Sequence, residues 1–236
     1  MSVTLEAFCV DAADPAALAG FWSELFGWPV VDDPCGMALD PTDDTGLRIR
    51  FLRSGAPRSL PNLFHYDLTS ATPEDQDATV VRAIELGASH LDVGQGSDAE
   101  HVVLADPEGN EFCVLPAGNR FLADCGFLGA LSGDGTHEVG VFWSEALGWP
   151  LVWDEGEETA VRSPHGGPKV TWGGRPLNPR PPRNRVHLDL RIVDGGELEA
   201  EVERLMDLGA ERVEERSSTS RVVLTDPDGS EFCVRA

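Results

Sequence analysis

The chain has no apolar run near the ~20 residues a membrane-crossing helix needs, so no helical span is expected. It is also poor in positive charge. Against 41 acidic side chains stand 18 Lys and Arg, a formal net charge of −23. Phosphate backbones and anionic membrane surfaces would be repelled by such a field, so neither nucleic acid nor membrane is expected as a partner. A cationic ligand would be attracted, although an acidic surface also serves solubility alone. The five cysteines are odd in number and none is paired as C-x-x-C, which argues against a disulfide framework or a zinc ribbon. No G-x-G-x-x-G follows a strand, and neither a P-loop nor a G-x-S-x-G elbow is present. The opening MSVTLEAFCVDAADP lacks a basic region followed by an apolar core. No secretory signal is therefore expected, and the chain reads as cytoplasmic with reduced thiols.

What the sequence does contain is a repeat. Residues 21–31 read FWSELFGWPVV and residues 142–152 read FWSEALGWPLV. Residues 102–114 read VVLADPEGNEFCV and residues 222–234 read VVLTDPDGSEFCV. Between these blocks NLFHYD (62–67) matches NRVHLD (184–189). Three blocks in the same order, at nearly constant spacing, mark two copies of one unit. The copies are residues 1–118 and 124–236, with 119–123 as a linker.

Each copy divides again. A strand at Thr4–Val10 precedes a helix that Asp14 can cap and Pro15 can start. Leu18, Phe21, Trp22, Leu25 and Phe26 form its apolar stripe, and Gly27 can end it. Short strands follow near Val30, Met37–Leu39 and Leu47–Leu52. A strand at Leu63–Leu68 then leads to a second helix, started by Thr72, Pro73 and Glu74 and ended near Gly87. Asp106-Pro-Glu-Gly109 suits a tight turn between two closing strands. The order is βαβββ twice per copy and four times in the chain. Pro-rich Gly173–Arg183 is the connector inside the second copy. The second copy's first strand, from Leu128, alternates poorly, so one copy could serve only as a scaffold.

The pattern D-P-x-x-L-x-x-F-W-x-x-x-L-G-W, then N-x-x-H-x-D-L, then V-V-L-x-D-P-[DE]-G-x-E-F-C resembles the vicinal oxygen chelate superfamily. Its members include glyoxalase I, extradiol dioxygenases and bleomycin-resistance proteins. The resemblance implies an α+β fold in which four βαβββ modules pair into two glyoxalase-like domains, each an eight-stranded open cup around a ligand site. Whether modules pair within a copy or between copies stays open. The two copies could mimic a homodimer within a monomeric chain, or the chain could itself form a homodimer.

The resemblance also implies a divalent metal (Zn, Ni, Mn or Fe) held by two residues per module, one on the first strand and one on the last. In the second modules these positions fall on His65 with Cys113, and on His187 with Cys233. Glu111 and Glu231 stand two residues before the cysteines on the same strand face. In the first modules the first-strand position falls near Ala7 and around Leu128, which cannot coordinate. The last strands there offer Arg48, Arg50, Thr171 and Trp172. Such sets meet neither the three-ligand quota of a catalytic zinc nor a facial triad.

The leading expectation is therefore binding of a small molecule, cationic or aromatic, without a metal cofactor. Its candidate contacts are His65, Glu111, Cys113, His187, Glu231, Cys233, Arg50 and Trp172. The alternative is a metal-dependent lyase, isomerase or dioxygenase in which the same His, Glu and Cys residues hold the ion and Glu111 or Glu231 moves protons. Structural readings stand beside both. His-x-Asp can be an ordered pair, the cysteines can be buried packing, and Asp106 and Asp226 can be turn formers. The Trp22/Trp28 and Trp143/Trp149 pairs can be core, and the Arg175, Arg180, Arg183 and Arg185 cluster can be a solvated loop.

Overall fold

The computed structural model describes residues 3–42, 47–55, 61–94, 96, 99–180, 184–193 and 195–236. The four modules expected from the sequence are present. The first comprises β1 (Val3–Ala12), α1 (Pro15–Phe26), β2 (Val30–Asp33), β3 (Gly36–Leu39) and β4 (Arg48–Arg53). The second comprises β5 (Phe64–Leu68), α2 (Pro73–Glu85), β6 (Ser89–His90), β7 (Val102–Ala105) and β8 (Glu111–Val114). The third runs through β9 (Leu128–Gly133), α3 (His137–Leu147), β10 (Leu151–Glu155), β11 (Glu158–Arg162) and β12 (Lys169–Trp172). The fourth holds β13 (Val186–Ile192), α4 (Leu198–Asp207), β14 (Glu211–Arg212), β15 (Arg221–Thr225) and β16 (Glu231–Arg235).

Local chemistry sets the boundaries. Asp14 Oδ1 accepts from the Ala17 backbone N–H at 3.3 Å, Pro15 fills the first turn, and Gly27 ends α1 at φ 72°. Thr72 Oγ1 caps α2 by accepting from Asp75 N–H at 3.2 Å. Asp106 Oδ1 holds the β7–β8 turn by accepting from the N–H groups of Glu108 and Asn110, both at 2.9 Å. Asp226 does the same for Asp228 and Ser230. These two aspartates are turn formers.

The strands form two eight-stranded sheets, and the modules are exchanged between copies. The first sheet runs β14-β15-β16-β13-β1-β4-β3-β2 and the second β10-β11-β12-β9-β5-β8-β7-β6. Module one thus joins module four, and module two joins module three. At each sheet centre the two copies meet as antiparallel neighbours, β1 on β13 and β5 on β9. The boundary between residues 118 and 124 divides the sequence repeats, but it cuts through the pairing of both sheets.

Alternation gives each central strand two faces. Phe8, Phe64, Tyr66, Leu188 and Phe232 face a core shared by both sheets. Phe8 meets Phe64 and Tyr66 edge to face, with ring centroids 5.9 and 5.3 Å apart. Trp22 of α1 packs on Phe112 of the second sheet at 5.0 Å, and Trp143 of α3 packs on Phe232 of the first at 4.9 Å. Each edge-to-face pair adds about 0.5–1.5 kcal/mol beyond its buried area. Each indole N–H also reaches a turn aspartate, Trp22 to Asp106 at 3.2 Å and Trp143 to Asp226 at 3.4 Å. Trp22 and Trp143 are therefore core residues, and they tie each copy's helix to the turn of the same copy's second module. The opposite faces carry the polar residues of the two cups.

Candidate functional site

In the first sheet Cys9 stands opposite His187 and beside Arg50, while Asp189 stands beside Cys233. In the second sheet Ser132 stands opposite His65 and beside Thr171, while Asp67 stands beside Cys113. The two cups are built to one plan. The first-strand positions expected near Ala7 and Leu128 fall instead on Cys9 and Ser132, because these are the cross-strand partners of the histidines. Ala7 lies opposite Asp189, after an irregularity in β1 between Leu5 and Ala7.

In the first cup the ligand atoms of Cys9, His187 and Asp189 lie within 4.8 Å of one another. All three are buried. His187 Nε2 is 3.4 Å from Asp189 Oδ1. Asp189 Oδ2 accepts from Arg50 Nη1 at 3.1 Å and from Arg235 Nε at 2.7 Å. Arg50 also pairs with Glu6 and Asp33, each at 3.0 Å. Arg221 reaches Cys233 Sγ with Nη2 at 2.9 Å and Nε at 3.2 Å. Burial pushes the Cys9 thiol up to about 11. The His187 imidazole is opposed by its own desolvation, yet Cys9, Asp189 and Cys233 around it hold its pKa well above 6.5.

The second cup has the same His-x-Asp and Cys but none of these guanidinium groups. The ligand atoms of His65, Asp67 and Cys113 lie within 4.8 Å of one another. His65 Nε2 is 3.3 Å from Asp67 Oδ1. The other Asp67 oxygen accepts from Ser132 Oγ, which accepts in turn from Thr171 Oγ1 at 3.1 Å. Desolvation opposes a charge on His65, but hydrogen bonds to Asp67 and Cys113 outweigh it and raise the pKa to about 10. The His65 side chain is 37% exposed, against 9% for His187. That difference reflects a cleft of about 370 Å³ above it, lined by His65, Phe121, Ser132, Trp153, Glu158 and Trp172 among others. Phe121 and Trp153 meet edge to face at 5.1 Å. Gly133 borders the cleft, and a Cβ there would point to the core face, 2.6 Å from the Phe64 ring. This close approach explains the poor alternation of β9 in the sequence.

The expected residues thus separate. His65 and Trp172 line one cleft although they come from different copies, and Arg50 joins His187 although these too come from different copies. Cys113 and Cys233 stand beside the histidine of their own module. Glu111 and Glu231 stay outside the two donor groups found among the described residues. Glu231 accepts from Asn184 N–H at 3.2 Å and pairs with Arg216. Arg180 and Arg185 hold backbone carbonyls of Asp228, Asp134 and Asp11, and Arg183 lies outside the described residues. Sequence reasoning missed Cys9, Ser132 and the roles of Arg221 and Arg235. Alternation around Phe8 and Val10 placed Cys9 on the polar face, but choosing it over Ala7 needed the register to β13.

The four corner positions, two per module, are not all held by His, Cys or carboxylate side chains in either cup. The corners are Cys9, Arg50, His187 and Cys233 in one, and Ser132, Thr171, His65 and Cys113 in the other. An arginine occupies a corner of the first, and two hydroxyls bonded to each other occupy the second. The His-Asp-Cys group of the second cup does offer donors that suit zinc, with the cleft beside it.

Comparison with known proteins agrees with this architecture. The glyoxalase-like domain family model matches residues 7–115 and 131–235. Glyoxalase I from Zea mays superposes with a TM-score of 0.67 at 12% identity, over 99% of this chain and 92% of that one. A putative dioxygenase from Bacillus subtilis subsp. subtilis str. 168 superposes with a TM-score of 0.63 at 13% identity, over 99% and 85%. At these identities the likeness is one of fold. No curated protein matches the chain. With its two matched copies and two eight-stranded cups, the chain belongs to the glyoxalase-like domain family of the vicinal oxygen chelate superfamily.

Proposed function

We propose that the chain binds a small aromatic molecule in the second cup, with no resident metal. The observation that carries this reading is the cleft over His65, walled by Phe121 and Trp153 and bordered by the buried Trp172. Around His187, by contrast, arginines bond the neighbouring Asp189 and Cys233. Ligand sites of this kind combine apolar, aromatic walls with a few polar anchors. Here the anchors are His65, Ser132 and Thr171 at the base and the Glu158 carboxylate in the lining. Glu158 and the net charge of −23 favour a ligand with a cationic group. The working unit on this reading is one site per chain, shared between copies.

The test is a thermal-shift panel of aromatic compounds with and without an amine or quaternary ammonium group. Ligands that bind the folded state raise Tm with concentration. The reading requires at least one aromatic cation to do so in the parent protein and not in His65→Ala. A panel that leaves Tm unchanged at saturating concentration refutes it.

A second reading is supported by the donor group His65, Asp67 and Cys113. These residues would hold a divalent ion, which would polarise a carbonyl or a pair of vicinal oxygens in lyase, isomerase or dioxygenase chemistry. Elemental analysis of protein purified without chelator separates the two. A stoichiometric Zn, Ni, Mn or Fe that is lost in His65→Ala supports the metal-dependent enzyme. Less than about a tenth of an equivalent, with no gain on reconstitution, removes it.

A further inference from the structure

In the first cup, a buried site with the makings of a metal centre already holds permanent cations. Cys9, His187 and Asp189 bring thiol, imidazole and carboxylate donors within 4.8 Å of one another. Cys233 stands beside the same imidazole. Donors of this type in a closed, four-ligand arrangement are those of structural zinc sites. Yet Asp189, fully buried, carries two guanidinium contacts on one oxygen, from Arg50 and Arg235. Cys233 Sγ carries both the Nε and Nη2 of Arg221. A buried carboxylate needs compensating charge, and the arginine fork supplies it with directed hydrogen bonds.

The internal repeat provides the comparison. By strand register and sequence, Arg50 corresponds to Thr171, Arg221 to His101 and Arg235 to Leu115. The second cup keeps His, Asp and Cys at the matching positions and has no arginine at any of these three. Guanidinium groups therefore distinguish the first cup from the second.

We propose that Arg50 and Arg235 stand in for a divalent cation in the first cup, where Arg50 ties module one to module four, and that removing them uncovers a metal site formed by Cys9, His187 and Asp189. A dication and these arginines compete for the same carboxylate. The first cup of the natural chain is accordingly a charge-filled strut between the two copies, closed to metal.

The test uses the full chain in a His65→Ala background, which removes the imidazole of the second cup. Zinc is added to this parent and to Arg50→Thr/Arg235→Leu, whose new side chains are those the repeat carries at the equivalent places. Bound metal is measured by elemental analysis after desalting. Cobalt(II) is added in parallel, because thiolate ligation gives it a charge-transfer absorption. The parent should retain no zinc. The double variant should retain one equivalent, show the cobalt–thiolate band, and lose both when His187→Ala is added. Zinc retained by the parent and lost with His187→Ala overturns the proposal, as does a folded double variant that takes up none. If the double variant is unfolded without metal, folding on zinc addition, followed by circular dichroism, supports the proposal. Failure to fold with zinc counts against it.

Discussion

Asp226 should make this protein less stable as the pH rises from about 4 to about 6. The residue is 2% exposed, in the turn between β15 and β16. Burial raises its pKa from 3.8 to about 6, outweighing the hydrogen bonds from Ser230 and from the Trp143 indole that favour the carboxylate. Asp228 adds repulsion and Arg180 attraction. Below about pH 4 the carboxyl is protonated in both folded and unfolded chains, and the site contributes nothing. Between about 4 and 6 the folded chain keeps a proton that the unfolded chain has lost, so each rise in pH favours unfolding. Above about 6 the penalty is complete. At about 1.4 kcal/mol per tenfold change in proton affinity, it amounts to about 3 kcal/mol. Asp226→Asn keeps an acceptor oxygen for the turn and cannot ionise. Urea unfolding of both proteins at pH 4, 5, 6 and 7 isolates the site, because the other carboxyl groups are common to the two. The variant should gain about 2.4 kcal/mol on the parent between pH 4 and pH 7. A stability difference constant within about 0.5 kcal/mol over that range would refute the assignment of a buried, reluctant carboxylate.

Three further outcomes follow from the two cups and their shared core. In isothermal titration with an aromatic ligand from the panel, His65→Ala should weaken binding at least about tenfold, the loss of one charge-assisted hydrogen bond, while His187→Ala leaves the affinity unchanged. Equal losses would mean that both cups bind. Trp153→Ala removes a cleft wall that is only partly buried, so it should weaken the same ligand about tenfold while Tm shifts by only a few degrees. Gly140→Ala in α3 should destabilise the protein by about 1–3 kcal/mol in urea, although alanine favours an isolated helix by about 1 kcal/mol. Its Cβ would stand 2.0 Å from Thr159 Oγ1 and 2.5 Å from Thr159 Cβ, both buried against the helix. A stabilised variant would show that α3 moves away from β11 without cost.

Much of the local structure was legible because its causes are local. Asp14, Pro15 and Gly27 start and stop α1 through contacts within a few residues, and Asp106 closes its own turn. Alternation put His65 and Asp67 on one face of β5. The partners of these residues were less legible. Serine at 132 carried no signal in a strand whose glycines break the pattern, and those glycines answer to other segments, Gly129 to Leu122 and Thr69, Gly133 to Phe64 and Trp172. Arg50 was recognisable as a charge among apolar neighbours, but Glu6, Asp33 and Asp189 come from three other strands. Nothing near Arg235 in sequence announced a buried Asp189 46 residues away.

By itself, the sequence determined the duplication, the βαβββ module and the family, since these depend on order, spacing and short-range capping. Tertiary structure alone decided that module one pairs with four and two with three. Strand edges from either copy offer the same backbone hydrogen bonds, so the choice rests on which strands the shared core brings together. That choice also decided the fate of the two histidines. Across the sheet, the His187–Asp189 pair met Arg50 and, with Arg235 of its own module, was enclosed by charge, whereas His65 met Ser132 and Thr171 and was left facing a cleft.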